Sequence, residues 1–286
     1  MKQIVCSFSG GETSAYMAIK LKEKHPDTVY TFANTGLETE STLEFVDAVD
    51  NAYGLGVVWL EAVTNPDKGK GMNYKVVDFK TASRNGEPFE AQIKKYGLSN
   101  PVRKYCTRDL KSTILDKWAN NHHPDHIKAI GIRIDELDRV NPEYKENGLC
   151  YPLAFWWPAN KQEINSFWRE QPFRLTSPNW ATNCTTCYKK SFNKLAWIAK
   201  IYPERFDFFE RMEKEHCHTN SVEHGIEEPI RIFRNHRTVA DIREMAKTAT
   251  EPRDDAQNYE VNGDLFGFDD MSYESDMCGS ESCEAF

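Results

Sequence analysis

The apolar residues in the first part of the chain alternate between two spacings. Short runs of apolar and β-branched residues predict strands, and the stretches between them, 13–24 and 38–52, carry apolar residues at helical spacing. Strands that alternate with helices pair in parallel through right-handed crossovers. The pattern therefore predicts an α/β fold built on a doubly wound parallel sheet. Its predicted strands cover residues 2–8, 28–35, 57–63 and 127–134.

The remaining stretches differ in composition and divide the chain further. Residues 64–100 are rich in Gly, Asn and Lys, and they predict a long excursion at the ligand-binding face that ends in a helix from about residue 87. Helical spacing returns at 109–121 and over most of 160–215. We expect three parts: an α/β domain at 1–158, a helical portion at 159–250 and an acidic tail at 251–286.

The charge of the chain is placed unevenly. The 286 residues carry a net charge of −8, but residues 251–286 alone hold eleven Asp/Glu and one Arg, a net charge of −10. The first 250 residues are therefore nearly neutral, at +2, which neither requires nor excludes a nucleic-acid partner. The tail is acidic and poor in aliphatic residues, so we expect it to have little fixed structure. Contact with a protein partner is one use for such a tail.

The composition also bears on the compartment. No apolar stretch approaches the roughly 20 residues that span a bilayer, and the N-terminus lacks the features of a signal peptide. We therefore expect a cytoplasmic protein with no membrane partner. Eight cysteines in that compartment suggest metal binding, catalysis or burial rather than a disulfide framework.

The stretch SFSGGETSAYMA, residues 7–18, joins the first predicted strand to the first predicted helix. The carboxyl edge of a parallel sheet is where α/β folds bind ligands, and helix N-termini favour anions through unpaired N–H groups. Two glycines let the backbone approach a phosphate closely, and Ser9 and Ser14 offer hydroxyls. The pattern favours a polyphosphate cradle. A tight glycine turn with a serine N-cap is the alternative.

The segment Ser9-Gly10-Gly11-x-x-Ser14 resembles the SGGxxS signature of the PP-loop ATP pyrophosphatases. In that superfamily the loop holds the pyrophosphate end of ATP while the α-phosphate is attacked. Glu12 stands where the family often has Lys or Val, and Mg²⁺ between this carboxylate and the phosphates would offset its charge. The resemblance implies an adenine nucleotide alpha-hydrolase-like fold and the binding of ATP.

Four further segments resemble the phosphoadenosine-phosphosulfate (PAPS) reductase branch of that superfamily, in the same order. They are NTGLE at 34–38, CTRDLK at 106–111, GIRIDE at 131–136 and NCTTC with KKS at 183–191. The resemblance implies that Arg108, Lys111 and Arg133 stabilise charge that develops at phosphorus, with Cys106 beside them. Asn34 replaces the usual Asp of the branch. The residues expected to bind the nucleotide are Ser7, Ser9, Gly10, Gly11, Thr13, Ser14, Asn34, Thr35, Gly36 and Glu38.

The pair Cys184 and Cys187 forms a CxxC motif, which can present two thiolates to one metal. Iron–sulfur members of the branch that the chain resembles have a CC pair before the basic residues; here Cys106 takes the first place and Thr107 the second. We expect these three cysteines to bind a [4Fe–4S] cluster or Zn²⁺, with Cys150 as the fourth ligand or with an open iron position. The alternative is a CxxC that caps a helix turn, with Cys106 as a thiol of the nucleotide site.

Two more cysteines, Cys278 and Cys283, lie close to the C-terminus. They resemble the tail cysteine of PAPS reductases only loosely. The carboxylates of Glu281 and Glu284 beside them disfavour a thiolate. Exposed thiols without a catalytic role are the alternative.

The residues and the resemblance together predict a PP-loop enzyme that binds ATP, or a PAPS-like nucleotide, with Mg²⁺. It would adenylate a substrate oxygen and release pyrophosphate, with sulfur transfer to a nucleic-acid acceptor as a second step. One alternative is a thiol-dependent reductase of PAPS-type sulfonucleotides, against which the intact double glycine argues. Another is a non-catalytic nucleotide-binding regulator whose acidic tail contacts a protein partner.

Overall fold

The computed structural model describes residues 2–67, 69–182, 184–220 and 228–252. Its centre is a six-stranded sheet with the strand order β4-β3-β2-β1-β5-β6. All neighbouring strands are parallel except β3 and β4. Most of the predicted acidic tail, with Cys278 and Cys283, lies outside the described residues. The strands are β1 Ile4–Ser7, β2 Val29–Asn34, β3 Val58–Thr64, β4 Met72–Val77, β5 Ile127–Ala129 and β6 Leu149–Cys150.

The strand β4 departs from the expected all-parallel sheet. It lies within the 64–100 stretch and pairs antiparallel with β3, from Trp59 opposite Val77 to Thr64 opposite Met72. Because β4 is an edge strand, most of its side chains are partly or fully exposed, and the apolar alternation that marks a half-buried strand is weak. The α/β class is confirmed, but the sheet is mixed rather than wholly parallel.

Helices connect the strands and continue after β6. Their ends follow ordinary capping chemistry: Thr39 accepts a hydrogen bond from the N–H of Thr42 at the start of α2, and Gly54 ends that helix with a φ of 57°. Within the described ranges, no helix has the length and hydropathy of a membrane span. The helices are α1 Glu12–Lys24, α2 Glu40–Tyr53, α3 Glu87–Tyr96, α4 Tyr105–Thr107, α5 Thr113–His122, α6 Lys161–Glu170, α7 Phe192–Ile201, α8 Asp207–His216 and α9 Val239–Ala246.

Alternate residues along the strands point into two hydrophobic layers, one on each face of the sheet. Phe32 and Trp59 pack with α1, α2 and α6, whereas their neighbours Ala33 and Leu60 pack with α3, α5 and α7–α9. Helices thus cover both faces, as a doubly wound fold requires. The helices after residue 158 contribute to both layers, and the expected domain boundary at 158 stays a prediction. The carboxyl ends of β1, β2 and β5 meet at one edge of the sheet.

Candidate functional site

The loop between β1 and α1 contains two glycines with different structural needs. Gly10 has a φ of +85°, and a Cβ there would lie 2.7 Å from Cγ2 of Thr42, so another residue would be strained. Gly11 has a φ of −99°, and a Cβ there would meet only the Oγ of Ser9, at 4.0 Å. The fold therefore requires Gly10 but leaves room for a side chain at Gly11. That free space lies directly at the N-terminus of α1.

Two serines hold this loop in shape. The N–H of Ser9 donates to Oγ of Ser14 at 3.1 Å, the two hydroxyl oxygens lie 2.9 Å apart, and the Ser14 hydroxyl donates to the carbonyl of Gly11 at 2.9 Å. Gly11 offers no side-chain cap to α1, so the first N–H groups of the helix are suited to an anion. Ser7 ends β1 and Thr13 lies in the first turn of α1, so both predicted residues border the same loop.

Glu12, the acidic residue of the loop, forms an ion pair with Arg174, which lies 162 positions away in the sequence. Nε and Nη2 of Arg174 lie 3.2 and 3.4 Å from the two carboxylate oxygens of Glu12. The indole N–H of Trp168 donates to the Glu12 backbone carbonyl at 2.9 Å. The negative charge of Glu12 is therefore balanced by a residue of the chain itself.

Asn34, the last residue of β2, has hydrogen-bond partners for both polar atoms of its side chain. Its amide nitrogen donates to Oε1 of Glu61 at 2.7 Å and to the carbonyl of Ser83 at 2.8 Å, while its oxygen accepts from the N–H of Gly36 at 3.1 Å. Burial by itself raises the pKa of Glu61, but hydrogen bonds from Lys75, Ser83 and Asn34 outweigh it and lower that pKa. An aspartate at 34 would face this carboxylate, which explains the asparagine. Asn34 therefore shapes the loop through its side chain.

A buried ion pair links the segment 34–38, at the end of β2, to the segment 106–111. Nζ of Lys111 lies 3.3 Å from Oε1 of Glu38, and both side chains are less than a tenth exposed. The hydroxyl of Thr35 donates to the same oxygen at 3.0 Å. Lys111 reaches inward from a π-helical turn, Arg108–Ser112, which replaces the start of the helix predicted at 109–121. Such turns occur often at functional sites. This one brings Lys111 together with Thr35 and Glu38.

The two predicted arginines each bind carboxylates of their own segment. Nε of Arg108 lies 2.6 Å from Asp109, and Nε of Arg133 lies 2.9 Å from Asp135, with Glu136 at 3.3 Å from Nη1. Burial by itself raises the pKa of Asp135, but the hydrogen bond from Arg133 outweighs it and lowers that pKa. Asp135 and Glu136 therefore act here as partners of arginines. To stabilise charge at phosphorus, either arginine would have to exchange a carboxylate for the ligand.

Three of the predicted cysteines line one pocket on the face of the sheet that carries α3 and α5. The thiol of Cys106 lies 3.8 Å from the hydroxyl oxygen of Tyr188, and Cys184 forms an isolated antiparallel β-bridge with Glu38. The pocket thus adjoins the segment after β2. Its lining consists of Thr35, Phe89, Ser99, Cys106, Lys111, Cys184, Thr186, Cys187, Tyr188, Phe209 and Ile232.

The fourth predicted cysteine, Cys150, does not join them. It lies in β6 and packs into the opposite hydrophobic layer from Cys184. Burial raises the pKa of its thiol to about 12, which disfavours the thiolate that metals require. In the part of the chain that the structure describes, no three His, Cys, Asp or Glu side chains are grouped so as to hold a metal ion. The structure therefore does not bring Cys150 together with the other three cysteines as a fourth ligand, and a metal at Cys106, Cys184 and Cys187 stays a prediction.

Comparison with known proteins gives a relative of similar length. No protein-family model matches the chain. The chain is 34% identical over 204 residues to the uncharacterized nin region protein ORF290 of Escherichia phage lambda, which covers 68% of this chain and 69% of that protein. The chain belongs to the ORF290 family.

More distant similarities also exist. This ORF290 family member is 22% identical over 236 residues to the uncharacterized protein MJ0066 of Methanocaldococcus jannaschii, over 78% of its own length but only 44% of that relative. A solved structure, PAPS reductase from Candida auris in complex with phosphate, matches with 16% identity and a TM-score of 0.37, over 59% of this chain and 73% of that one. A likeness at that level carries no argument about function.

The sequence motifs did not predict three residues of the site in this ORF290 family member: Arg174, Glu61 and Tyr188. Arg174 is separated from its partner Glu12 by 162 positions, and Glu61 and Tyr188 carry no motif of their own. An acidic residue inside an otherwise apolar predicted strand was the available signal for Glu61, because a buried carboxylate needs partners. For the other two residues, only the folded chain supplies the neighbours that give them a role.

Proposed function

We propose that the chain is a PP-loop enzyme of the PAPS reductase-like kind, which binds ATP or a related adenine nucleotide with Mg²⁺ and adenylates a substrate with release of pyrophosphate. The observation that supports this most directly is the loop from Ser9 to Ser14. It begins α1 at the carboxyl edge of the sheet, and its second glycine is not required by the fold. A glycine that packing does not demand is accounted for by the close approach of a phosphate to the backbone.

The other residues have distinct parts in this proposal. The unpaired N–H groups at the start of α1 hold the pyrophosphate end, and Ser9 and Ser14 keep the loop in shape. Lys111 lies in a buried pair with Glu38, and it can stabilise charge that develops in the reaction once the ligand displaces that carboxylate. Arg108 and Arg133 serve the same purpose once the ligand displaces their carboxylates.

The pocket lined by Cys106, Cys184 and Cys187 supports sulfur transfer as a second step. The three thiols line this pocket together with Lys111, and a thiol in its thiolate form is the nucleophile that such a transfer needs. The acceptor in this proposal is a nucleic acid in the cytoplasm. In this step a persulfide, formed on one of these thiols by an external sulfur donor, attacks the adenylated atom of the acceptor and AMP leaves. A second thiol of the pocket then breaks the sulfur–sulfur bond by forming a disulfide, which an external thiol reduces. A [4Fe–4S] cluster or Zn²⁺ at Cys184 stays a prediction, for which iron, sulfide and zinc analysis is the relevant measurement.

Two other functions from the sequence remain distinguishable by experiment. A reductase of PAPS-type sulfonucleotides would use the Cys106 thiol and release sulfite in a thiol-dependent reaction. A nucleotide-binding regulator would bind ATP without releasing pyrophosphate in the presence of any acceptor. The proposed enzyme releases pyrophosphate without sulfite.

The test of the phosphate loop is Gly11→Asp. Asp is a favourable N-cap residue and a Cβ fits at this position, so the variant should fold at least as stably as the wild type. The added carboxylate would repel a phosphate, and we expect ATP binding measured by calorimetry to be lost. The matched control is Gly71→Asp, since no atom lies within 4 Å of a Cβ there. Wild-type affinity in folded Gly11→Asp would remove the phosphate-loop proposal.

A further inference from the structure

The segment that follows α6 runs along α2 towards the phosphate loop. Near the end of α2, the hydroxyl of Tyr53 donates to Oε1 of Gln171 at 2.8 Å. At the start of α2, the hydroxyls of Ser41 and Ser177 are in contact. Residues 171–177 therefore follow α2 from its last turn to its first. Arg174 lies in the middle of this segment.

The aromatic residue next to Arg174 fixes the segment to the core. The ring of Phe173 packs against Phe45 of α2 at 6.4 Å and against Trp168 of α6 at 6.2 Å between centroids. Because Trp168 also donates to the backbone of Glu12, the core holds the segment and the first turn of α1 in one arrangement. The backbone at Arg174 is thus held in place independently of its ion pair.

The guanidinium of Arg174 has donors to spare. An arginine carries five N–H groups, and Glu12 accepts one from Nε and one from Nη2. The contacts, at 3.2 and 3.4 Å, are longer than the roughly 2.7–2.9 Å of a strong charge-assisted bond. The side chain of Arg174 is 37% exposed, against 9% for Glu12. The cation is therefore the more exposed member of the pair, and it lies beside Glu12, the first residue of α1.

The loop itself supplies no positive charge for a polyphosphate. Residues 9–14 contain one acidic and no basic residue. Lys111, Arg108 and Arg133 are each bound to carboxylates of their own surroundings. A polyphosphate that entered this loop would meet the Glu12 charge unless Arg174 stood between them.

We infer that Arg174 contacts a phosphate of the bound nucleotide, and that Glu12 positions it. The inference rests on the proposed function of the loop. Arg174 keeps Nε and one Nη2 donor on Glu12 while its remaining N–H groups bind phosphate oxygens, a geometry for which the planar guanidinium is suited. The loop thus takes its cation from the segment that follows α6. The loops of the PP-loop family that it resembles often have a lysine within the loop itself.

The experiment compares Arg174→Met, Glu12→Gln and the double variant, with ATP and adenosine as ligands in calorimetry. We expect Arg174→Met to weaken ATP binding by at least about tenfold, the size of a lost charge-assisted contact, and to leave adenosine binding unchanged. The double variant has no Glu12 charge to neutralise, and we expect it to stay as weak as the single one. Arg174→Lys should recover part of the affinity. Arg169→Met, at an exposed arginine that contacts Ser166, is the control.

The outcomes separate this inference from the proposed function. Recovery of wild-type ATP affinity in the double variant would mean that Arg174 only neutralises Glu12, and the inference would be wrong while the phosphate loop stands. An equal loss of adenosine affinity would also overturn it, because the effect would then not concern phosphate. A wild-type protein that binds neither ATP nor pyrophosphate would remove the proposed function and this inference together. Thermal unfolding of each variant verifies that it is folded.

Discussion

Asn34 shows how one buried neighbour determines which side chain fits at a position. The PAPS reductase branch, which this segment resembles, carries Asp at the corresponding position, but here the side chain donates both amide hydrogens, to Glu61 and to Ser83. A carboxylate has no hydrogen to donate and would lie against the fully buried Glu61. The residue that fits at position 34 therefore depends on the residue at position 61, although 27 positions separate them.

We predict that Asn34→Asp destabilises the protein by about 2 kcal/mol or more, because it leaves buried charged acceptors facing each other. Chemical unfolding in urea measures this. Asn73→Asp makes the same chemical change at an exposed position of β4 and should have little effect. Adding Glu61→Gln to Asn34→Asp should recover part of the loss, since an amide then faces the carboxylate again. An unchanged unfolding midpoint for Asn34→Asp would contradict this account.

At the scale of elements, the periodicity of apolar residues predicted the strands and helices that bury one face. The first three strands and the first two helices lie within two residues of their expected bounds, because each buries one stripe or face. The polar edge strand β4 has no such pattern and was missed. The three cysteines of the pocket, Glu38 and Lys111 belong to motifs that the sequence shows, but their contacts, like the placement of Cys150 and Arg174, depend on packing between segments far apart in sequence.

The contact between α3 and α8 makes a pH-dependent prediction. Glu90 accepts a hydrogen bond from Arg211 at 2.7 Å, and this bond, followed by that of Lys94, lowers the pKa of Glu90 from 4.5 to about 2. A carboxylate with a depressed folded-state pKa stabilises the fold above its ordinary pKa, and that contribution is lost as the pH falls from 4.5 towards 2. Both side chains are partly exposed, so the contribution of this ion pair to the free energy of unfolding is below about 1 kcal/mol.

Replacing Arg211 by Gln isolates this contribution. The wild type should be the more stable protein near neutral pH, and the difference in urea midpoint should narrow as the pH is lowered below 4.5. A difference that stayed constant across this range would show that Arg211 acts through packing of its alkyl chain rather than through the charge of Glu90.

At the scale of the whole molecule, the distribution of charge bears on the proposed acceptor. The chain as a whole carries −8, of which residues 251–286 contribute −10. A nucleic acid is repelled by such a net charge at long range, although the first 250 residues, at +2, do not oppose it. The tail therefore sets the sign of the long-range interaction, whatever else it contacts.

We predict that replacing the ten Asp/Glu of residues 253–286 by Asn or Gln, which changes the net charge from −8 to +2, tightens the binding of single-stranded nucleic acid at low salt. The gain should disappear near 1 M salt, where the Debye length falls from about 30 Å at 0.01 M to about 3 Å. Fluorescence anisotropy with a labelled oligonucleotide measures both conditions, and ATP affinity serves as the control because the loop is unaltered. Equal affinities at low salt would show that the tail charge does not govern the encounter. If neither protein binds at any salt concentration, the nucleic-acid acceptor is wrong and the acidic tail is better explained by a basic protein partner.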